Sequence, residues 1–336
     1  MNNEVVNEKT QSVYKWDEFR RKTKKFLHKI KFDKWKAWIY LLPAIILLLI
    51  FTVWPIINTV RIAFLDGYSA MGTLNPDNTY EFGIQNFKDV VLYPGFLKIL
   101  KNTILLCVLT VPISTLLALL IAVALNSIKP LQRFLQTIFF LPYVTNSIAI
   151  GMVFTAMFNI IGIGSTNETV GIVNSVLEFF GIERINWMNQ GSTYAANMAV
   201  MVVYIVWNAL PFKILVLLGG LQSVNKQYYE AAKVDGTSRS RIFARITVPL
   251  LSPMITYVVI TGFIGGFKEY SSIVGVFGED MGPSHDAGRL NTMVGFIYDA
   301  IGEKEGKASA AALILFGIIL IVTLINLRIS KKNTHY

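Results

Sequence analysis

Charge, cysteine and histidine are all scarce in this sequence, and each shortage narrows what it can encode. Only 15% of its 336 residues are charged, whereas an ordinary soluble domain carries about 25%. With 53% hydrophobic residues and a mean hydropathy of +0.50, the chain lacks the polar groups that would wet a globular surface. Cys107 is the single cysteine and lies inside an apolar run, so there is no intrachain disulfide framework. It reads as a small buried hydrophobe. His28, His285 and His335 are too far apart to suggest a metal site. Residues 302–309, GEKEGKAS, approach a phosphate loop, but Ile301 stands where the first Gly is needed and Ala308 where Ser or Thr is needed. GIGSTN (162–167) likewise misses the dinucleotide fingerprint, and no Ser-His-Asp or paired-carboxylate arrangement is readable. The expectation is a chain that is not itself an enzyme and holds no cofactor or metal.

What the sequence has instead is long apolar blocks. A bilayer core about 30 Å thick needs roughly 20 apolar helical residues, and six stretches qualify: about 37–60, 101–126, 133–158, 195–221, 250–277 and 308–328. The first is too long and too late for a signal peptide. Pro43, Pro55, Pro112, Pro142, Pro211 and Pro253 punctuate the blocks. Prolines are tolerated in lipid where neighbouring helices or water satisfy the freed carbonyls, which favours a bundle around a path. The expected fold is therefore an all-α integral membrane protein of six transmembrane helices. Its parts are a basic extension (1–36), a first span with outer loop (37–99), a five-span core (100–330) and a short tail (331–336).

Basic residues orient it. With the N-terminus inside, 21 of the 31 Lys and Arg fall on inner segments, and 13 of the 21 acidic residues fall on outer ones. That is the positive-inside bias, giving both termini a cytoplasmic position. The net charge of +10 thus reflects topology, and nucleic acid is not an expected partner. Residues 13–36 place Trp16, Phe19, Phe26, Leu27 and Ile30 near helical spacing among basic residues, as in an interfacial helix on anionic lipid, or a solvated basic tail. Trp35 and Trp38 suit an aromatic belt. The outer loops (61–100, 159–194, 278–307) look too small for separate domains, and the sequon at Asn167 is a short match of the kind that arises by chance. No internal repeat is visible.

The longest inner loop, 222–249, carries the most information. Asn225 can cap a helix through Tyr228, Tyr229, Glu230, Ala231 and Ala232. The two alanines leave a smooth surface for a partner, and Gly236 can end the helix in a left-handed conformation. A second, basic amphipathic helix then begins near Ser238, and Pro249 opens the fifth block. This loop resembles the signature of permease subunits of binding-protein-dependent ABC importers: Glu-Ala-Ala, three residues, Gly, nine residues, Ile, any residue, Leu-Pro. The match is Glu230-Ala231-Ala232, Gly236, Ile246 and Val248-Pro249, with Val248 for Leu the sole departure. Val234-Asp235-Gly236, Trp207, residues 219–232 and residues 306–332 are similar to the sugar-uptake branch, whereas polyamine permeases tend to place Leu-Gly there.

The resemblance implies a permease in a bacterial-type cell membrane that translocates a sugar or oligosaccharide by alternating access. It implies two cytoplasmic ATPase subunits, which hold ATP and Mg, an extracytoplasmic solute-binding protein, and a second permease. Residues 41–64 look like the first of two non-identical permeases. Glu230, Ala231, Ala232, Asp235, Gly236, Ile246 and Pro249 would form the coupling element. For the solute path, Lys268 and Glu269 are charges inside a block, where each costs roughly 2.5–3.5 kcal/mol and calls for a reason. Gly265 and Gly266 allow local unwinding there, and Tyr270 could stack on a sugar ring. An ion pair at the outer boundary is the competing reading. Asn146, Trp207, Asn208 and Lys213 are further candidates, with snorkelling inward as the alternative reading of Lys213. Rival functions are import of glycerol phosphate or a polyamine, an ion-coupled secondary transporter, and a membrane-embedded enzyme.

Overall fold

A computed structural model describes residues 36, 38–70, 80–128, 132–162 and 168–333. The basic stretch 13–36, apart from Lys36, and Asn167 of the sequon lie outside the described residues. The chain divides into two units, Met1–Arg61 and Ile62–Tyr336. The first unit holds most of helix α1 (Trp38–Ala63), whose most apolar stretch has no buried residue. A helix apolar all round belongs in lipid or within a larger assembly. A π-helical turn at Leu49–Val53 precedes Pro55, whose missing N–H cannot serve the carbonyl of Phe51.

In the second unit a short helix α2 (Gln85–Val91) leads to α3 (Phe96–Ser127), followed by α4 (Gln132–Val144) and α5 (Ser147–Phe158). A two-stranded antiparallel hairpin, β1 (Ile160–Ile161) and β2 (Thr169–Val170), pairs Ile160 with Val170. Then come α6 (Ile172–Phe179), α7 (Tyr194–Ser223), α8 (Gln227–Val234) and α9 (Arg239–Leu250). The last four are α10 (Ser252–Gly266), α11 (Ser271–Phe277), α12 (Met293–Ala300) and α13 (Glu305–Asn333).

The long helices α3 and α7 are the axis of this unit. At 1.5 Å rise per residue they run about 48 and 45 Å, enough to cross a bilayer at a tilt. They pack on each other through Leu106, Ala118, Ala122 and Leu125 on one side and Met201, Tyr204, Leu217, Leu218 and Leu221 on the other, all nearly or fully buried. α13 packs against α2, α10 and α12, with Ala310, Ala311 and Leu315 in the buried cluster they share.

Two expected spans are broken. Block 133–158 is α4 and α5, interrupted at Thr145 and Asn146, because the Asn146 side chain accepts from the backbone of Ile148 (2.8 Å) and Ala149 and caps a new helix. Block 250–277 is α10 and α11, interrupted at residues 267–270. The half-helices α5 and α11 cross closely: a Cβ on Gly151 would lie 2.5 Å from the Gly275 backbone, and Thr155 Oγ1 donates to the Val276 carbonyl at 2.7 Å. Among the described residues four helices are long and apolar enough to span (α1, α3, α7, α13), and five if α9 and α10, bent by 67°, count as one.

At the end where α3 and α7 begin, the segment 278–292 is pinned. Arg289 pairs with Asp286 (2.7 Å) and donates to the Ser192 carbonyl and Asn197 Oδ1. The Asn102 amide donates to the carbonyls of Arg289 and Asn291, and Tyr194 donates to Asn102 Oδ1.

Candidate functional site

A cavity of about 310 Å³ opens where α3, α4, α7 and α10 meet. Its chemistry follows from which polar groups already have partners. Thr110 donates to the Leu106 carbonyl, Ser114 to that of Thr110 and Thr261 to that of Tyr257. Lys213, only 4% exposed, gives its three ammonium protons to the Val111 carbonyl (3.2 Å), Ser114 Oγ (2.7 Å) and Thr115 Oγ1 (2.9 Å). It does not snorkel toward an interface; the adjacent hydroxyls of Ser114 and Thr115, and the Val111 carbonyl about one turn earlier on α3, supply its acceptors within the bundle. Gly262 opposite makes room, since a Cβ there would sit 3.2 Å from Nζ.

Other lining groups are less fully committed. Asn208 forms no side-chain hydrogen bond among the described residues, and Tyr143 stacks on Phe212 at 5.9 Å, giving an aromatic wall. Half-buried Glu269 lies at the break after α10 and accepts from Ser272 N at 3.3 Å. An apolar concavity with a few convergent polar groups is the usual form of a small-molecule site. Glu269 and Asn208 are thus together on its wall. Lys268 is exposed and Tyr270 stacks on Tyr298 at 4.4 Å; neither lines the cavity. Trp207 packs on Phe154 at 5.4 Å, and Asn146 acts as a helix cap. Sequence reading missed Tyr143, Phe212, Ser114 and Thr115; an apolar block gives no sign of which hydroxyl or ring faces inward.

The inner loop folds as two helices separated by a turn. Asn225 Oδ1 accepts from Gln227 N at 3.0 Å, and Gly236 has φ of +64°, a left-handed residue that ends α8. Along α8, Glu230 and Ala231 are exposed with Tyr228 and Val234, whereas Ala232 is buried against the bundle. Asp235 is exposed in the turn, and Ile246 and Pro249 are half-buried on α9. A free face carrying a carboxylate and a small residue can receive another body.

A multi-pass bundle with an exposed two-helix loop and a largely apolar cavity bearing a few polar groups has the form of a membrane transport subunit. The chain belongs to the binding-protein-dependent transport system inner membrane component family, matched over residues 114–335. It is 30% identical over 297 residues to the arabinooligosaccharides transport system permease protein AraP of Bacillus subtilis, covering 87% of this chain and 88% of that one. It is 29% identical to the probable ABC transporter permease protein MG188 of Mycoplasma genitalium, covering 84% and 81%. A crystal structure of a bacterial ABC transporter that imports alginate contains a chain of the same fold, with TM-score 0.72, 22% identity and coverage of 92% and 99%.

Proposed function

We propose that this chain is one of the two membrane-spanning permeases of an ATP-driven importer and passes a sugar or oligosaccharide through the cavity of α3, α4, α7 and α10. The observation that carries the solute class is the set of groups left available there. The aromatic pair Tyr143 and Phe212 suits the C–H face of a sugar ring, while Asn208 and Glu269 suit its hydroxyls. Lys213 is the one cation among the described lining residues and its protons are committed, which argues against a phosphate ester such as glycerol phosphate. The similarity to AraP supports the same class.

In this reading the broken blocks 133–158 and 250–277 each cross once, giving six crossings with both termini in the cytoplasm. Residues 222–249 are then cytoplasmic and seat on a partner ATPase through Glu230, Ala231, Asp235 and Gly236, with Ile246 and Pro249 fixing the second helix. ATP and Mg belong to two such ATPases, a second, non-identical permease completes the pore, and a solute-binding protein delivers cargo. A solved alginate transporter in complex with a pentasaccharide-bound periplasmic protein offers a parallel for that delivery. The test is uptake by the reconstituted complex: Glu269→Gln and Asn208→Ala each raise the half-saturating solute concentration while assembly is unchanged. Wild-type uptake kinetics in both variants would remove the cavity from the solute path.

A further inference from the structure

A second cavity, about 470 Å³, lies between the inner loop and the ends of α3 and α7 and plays no part in the translocation scheme. Its wall is divided by chemistry. Val123, Leu221, Ile242 and Phe243 make an apolar side; Lys233 and Arg239 are cations on it, with Asn126, Ser127 and Thr247 beside them. Neither Lys233 nor Arg239 has a carboxylate partner among the described residues. Both are exposed, so each can swing its long side chain toward an occupant. Tyr229, also on the wall, has a buried hydroxyl with no hydrogen-bond partner, and such orphans are rare in native proteins.

Depth in the membrane identifies the occupant. The two longest apolar helices of the unit end at Ser127 and Ser223, and the cavity is built around those ends. The apolar runs 101–126 and 195–221 also end there, which argues that hydrocarbon gives way to headgroups at this level. An aliphatic side and a cationic side meeting at this level match one molecule better than any other: a phospholipid with net negative charge. We propose that this cavity binds an anionic phospholipid of the leaflet on the inner-loop side, its phosphate held by Lys233 and Arg239 and an acyl chain along Val123, Leu221 and Phe243. The lipid would then be a wedge beneath α8. It would fix the angle at which the exposed face of α8 meets its partner, since Tyr229 and Lys233 of α8 line this region. A soluble phosphate compound would leave the apolar half of the wall empty.

The inference shares with the proposed function the side of the membrane and the docking of α8, so its test measures lipid and not transport. The full-length protein in its complex is purified in mild detergent, and retained phosphatidylglycerol and phosphatidylcholine are counted by native mass spectrometry. Wild type retains phosphatidylglycerol over phosphatidylcholine. Lys233→Gln with Arg239→Gln lowers phosphatidylglycerol retention about 30-fold, equivalent to about 2 kcal/mol for two interfacial charges. Lys226→Gln, an exposed cation of the same loop outside the cavity, leaves retention unchanged. Phe243→Glu, on the apolar side, also lowers it. Equal retention of both lipids in wild type, an equal effect of Lys226→Gln, or displacement of the lipid by inorganic phosphate would each overturn the proposal. If uptake fails while selective retention survives, the site stands and the transport reading alone falls.

Discussion

Lys213 offers the sharpest test of the bundle's energetics, because removing the cation and removing its acceptors have opposite consequences. In Lys213→Met, three interhelical hydrogen bonds disappear, worth about 0.6 kcal/mol each in membrane proteins, or about 2 kcal/mol. Against this, the variant no longer holds a charge at mid-span, a relief of about 2.5–3.5 kcal/mol. Ser114 and Thr115 are not orphaned, since both still donate to carbonyls of their own helix. The net is a change of about 0.5–1.5 kcal/mol on the stabilising side. In Ser114→Ala with Thr115→Val, the ammonium keeps only the Val111 carbonyl. Two buried donors lose their partners at about 1–3 kcal/mol each, so the cost is about 2–6 kcal/mol. Adding Lys213→Met to that pair should restore most of the loss, as expected when a buried charge without its partners is the source of the penalty. Unfolding in SDS titrations, followed by intrinsic fluorescence, measures all four proteins. The reasoning is refuted if Lys213→Met alone destabilises more than the hydroxyl pair does.

Further outcomes follow from other positions. Gly151→Leu forces apart α5 and α11, so it should cost at least 1–3 kcal/mol, the usual range for overpacking, read in the same titration while membrane insertion stays intact. At Gly236 a Cβ meets nothing within 4 Å and only the φ of +64° resists it. Gly236→Asn should therefore keep coupled ATP hydrolysis, and Gly236→Val, strained by roughly 1–2 kcal/mol, should impair it. The guanidinium of Arg289 holds the Asp286 carboxyl below the usual carboxylate range, with Lys98 contributing and burial opposing. A depressed folded value means that this stabilisation is complete above the unfolded value of about 3.9 and is lost as pH falls through the folded one. Hydrogen exchange over 278–292 should accelerate only below about pH 4, and Asp286→Asn should abolish that dependence; a transition near pH 6 would point to another group. Single cysteines at Ser240 and Ser284, in Cys107→Ser, should label from the cytoplasmic and outer sides respectively, and labelling of position 240 in intact cells by an impermeant reagent would invert the proposed topology.

The parts legible in the sequence were those with strong local causes. The blocks 101–126 and 195–221 became α3 and α7 within a few residues, because long apolar runs leave helix as the only way to satisfy backbone groups in lipid. Gly236 was readable as a left-handed stop because the turn needs a residue without Cβ. The break at Asn146 has a local cause, a polar Thr145-Asn146-Ser147 patch whose asparagine caps α5, that the count of apolar residues passed over; the break at residues 267–270 follows directly after Gly265 and Gly266. Gly265 and Gly266 looked like the point of unwinding; they are the last two residues of α10, and a Cβ on Gly266 would meet Cys107 Sγ at 2.8 Å. That glycine serves close packing. The charges at Lys268 and Glu269 were adjacent in sequence, but only Glu269 turns to the cavity, and the partners of Lys213 lie about a hundred positions away.

Obstruction of the cavity tests the central claim most directly. Gly265 lines it, and a Cβ there meets nothing within 4 Å, so a large side chain can enter the open space without disturbing the packing of α10. Glycine is also the weaker helix former, so the substitution adds no backbone penalty. ATP-driven uptake of radiolabelled oligosaccharide is measured in proteoliposomes containing the chain with its partner subunits, for Gly265→Ala and Gly265→Trp. The account predicts near-normal uptake for alanine and a loss of at least tenfold for tryptophan, with the complex still assembled. Undiminished uptake in an assembled Gly265→Trp complex would mean that the solute crosses elsewhere.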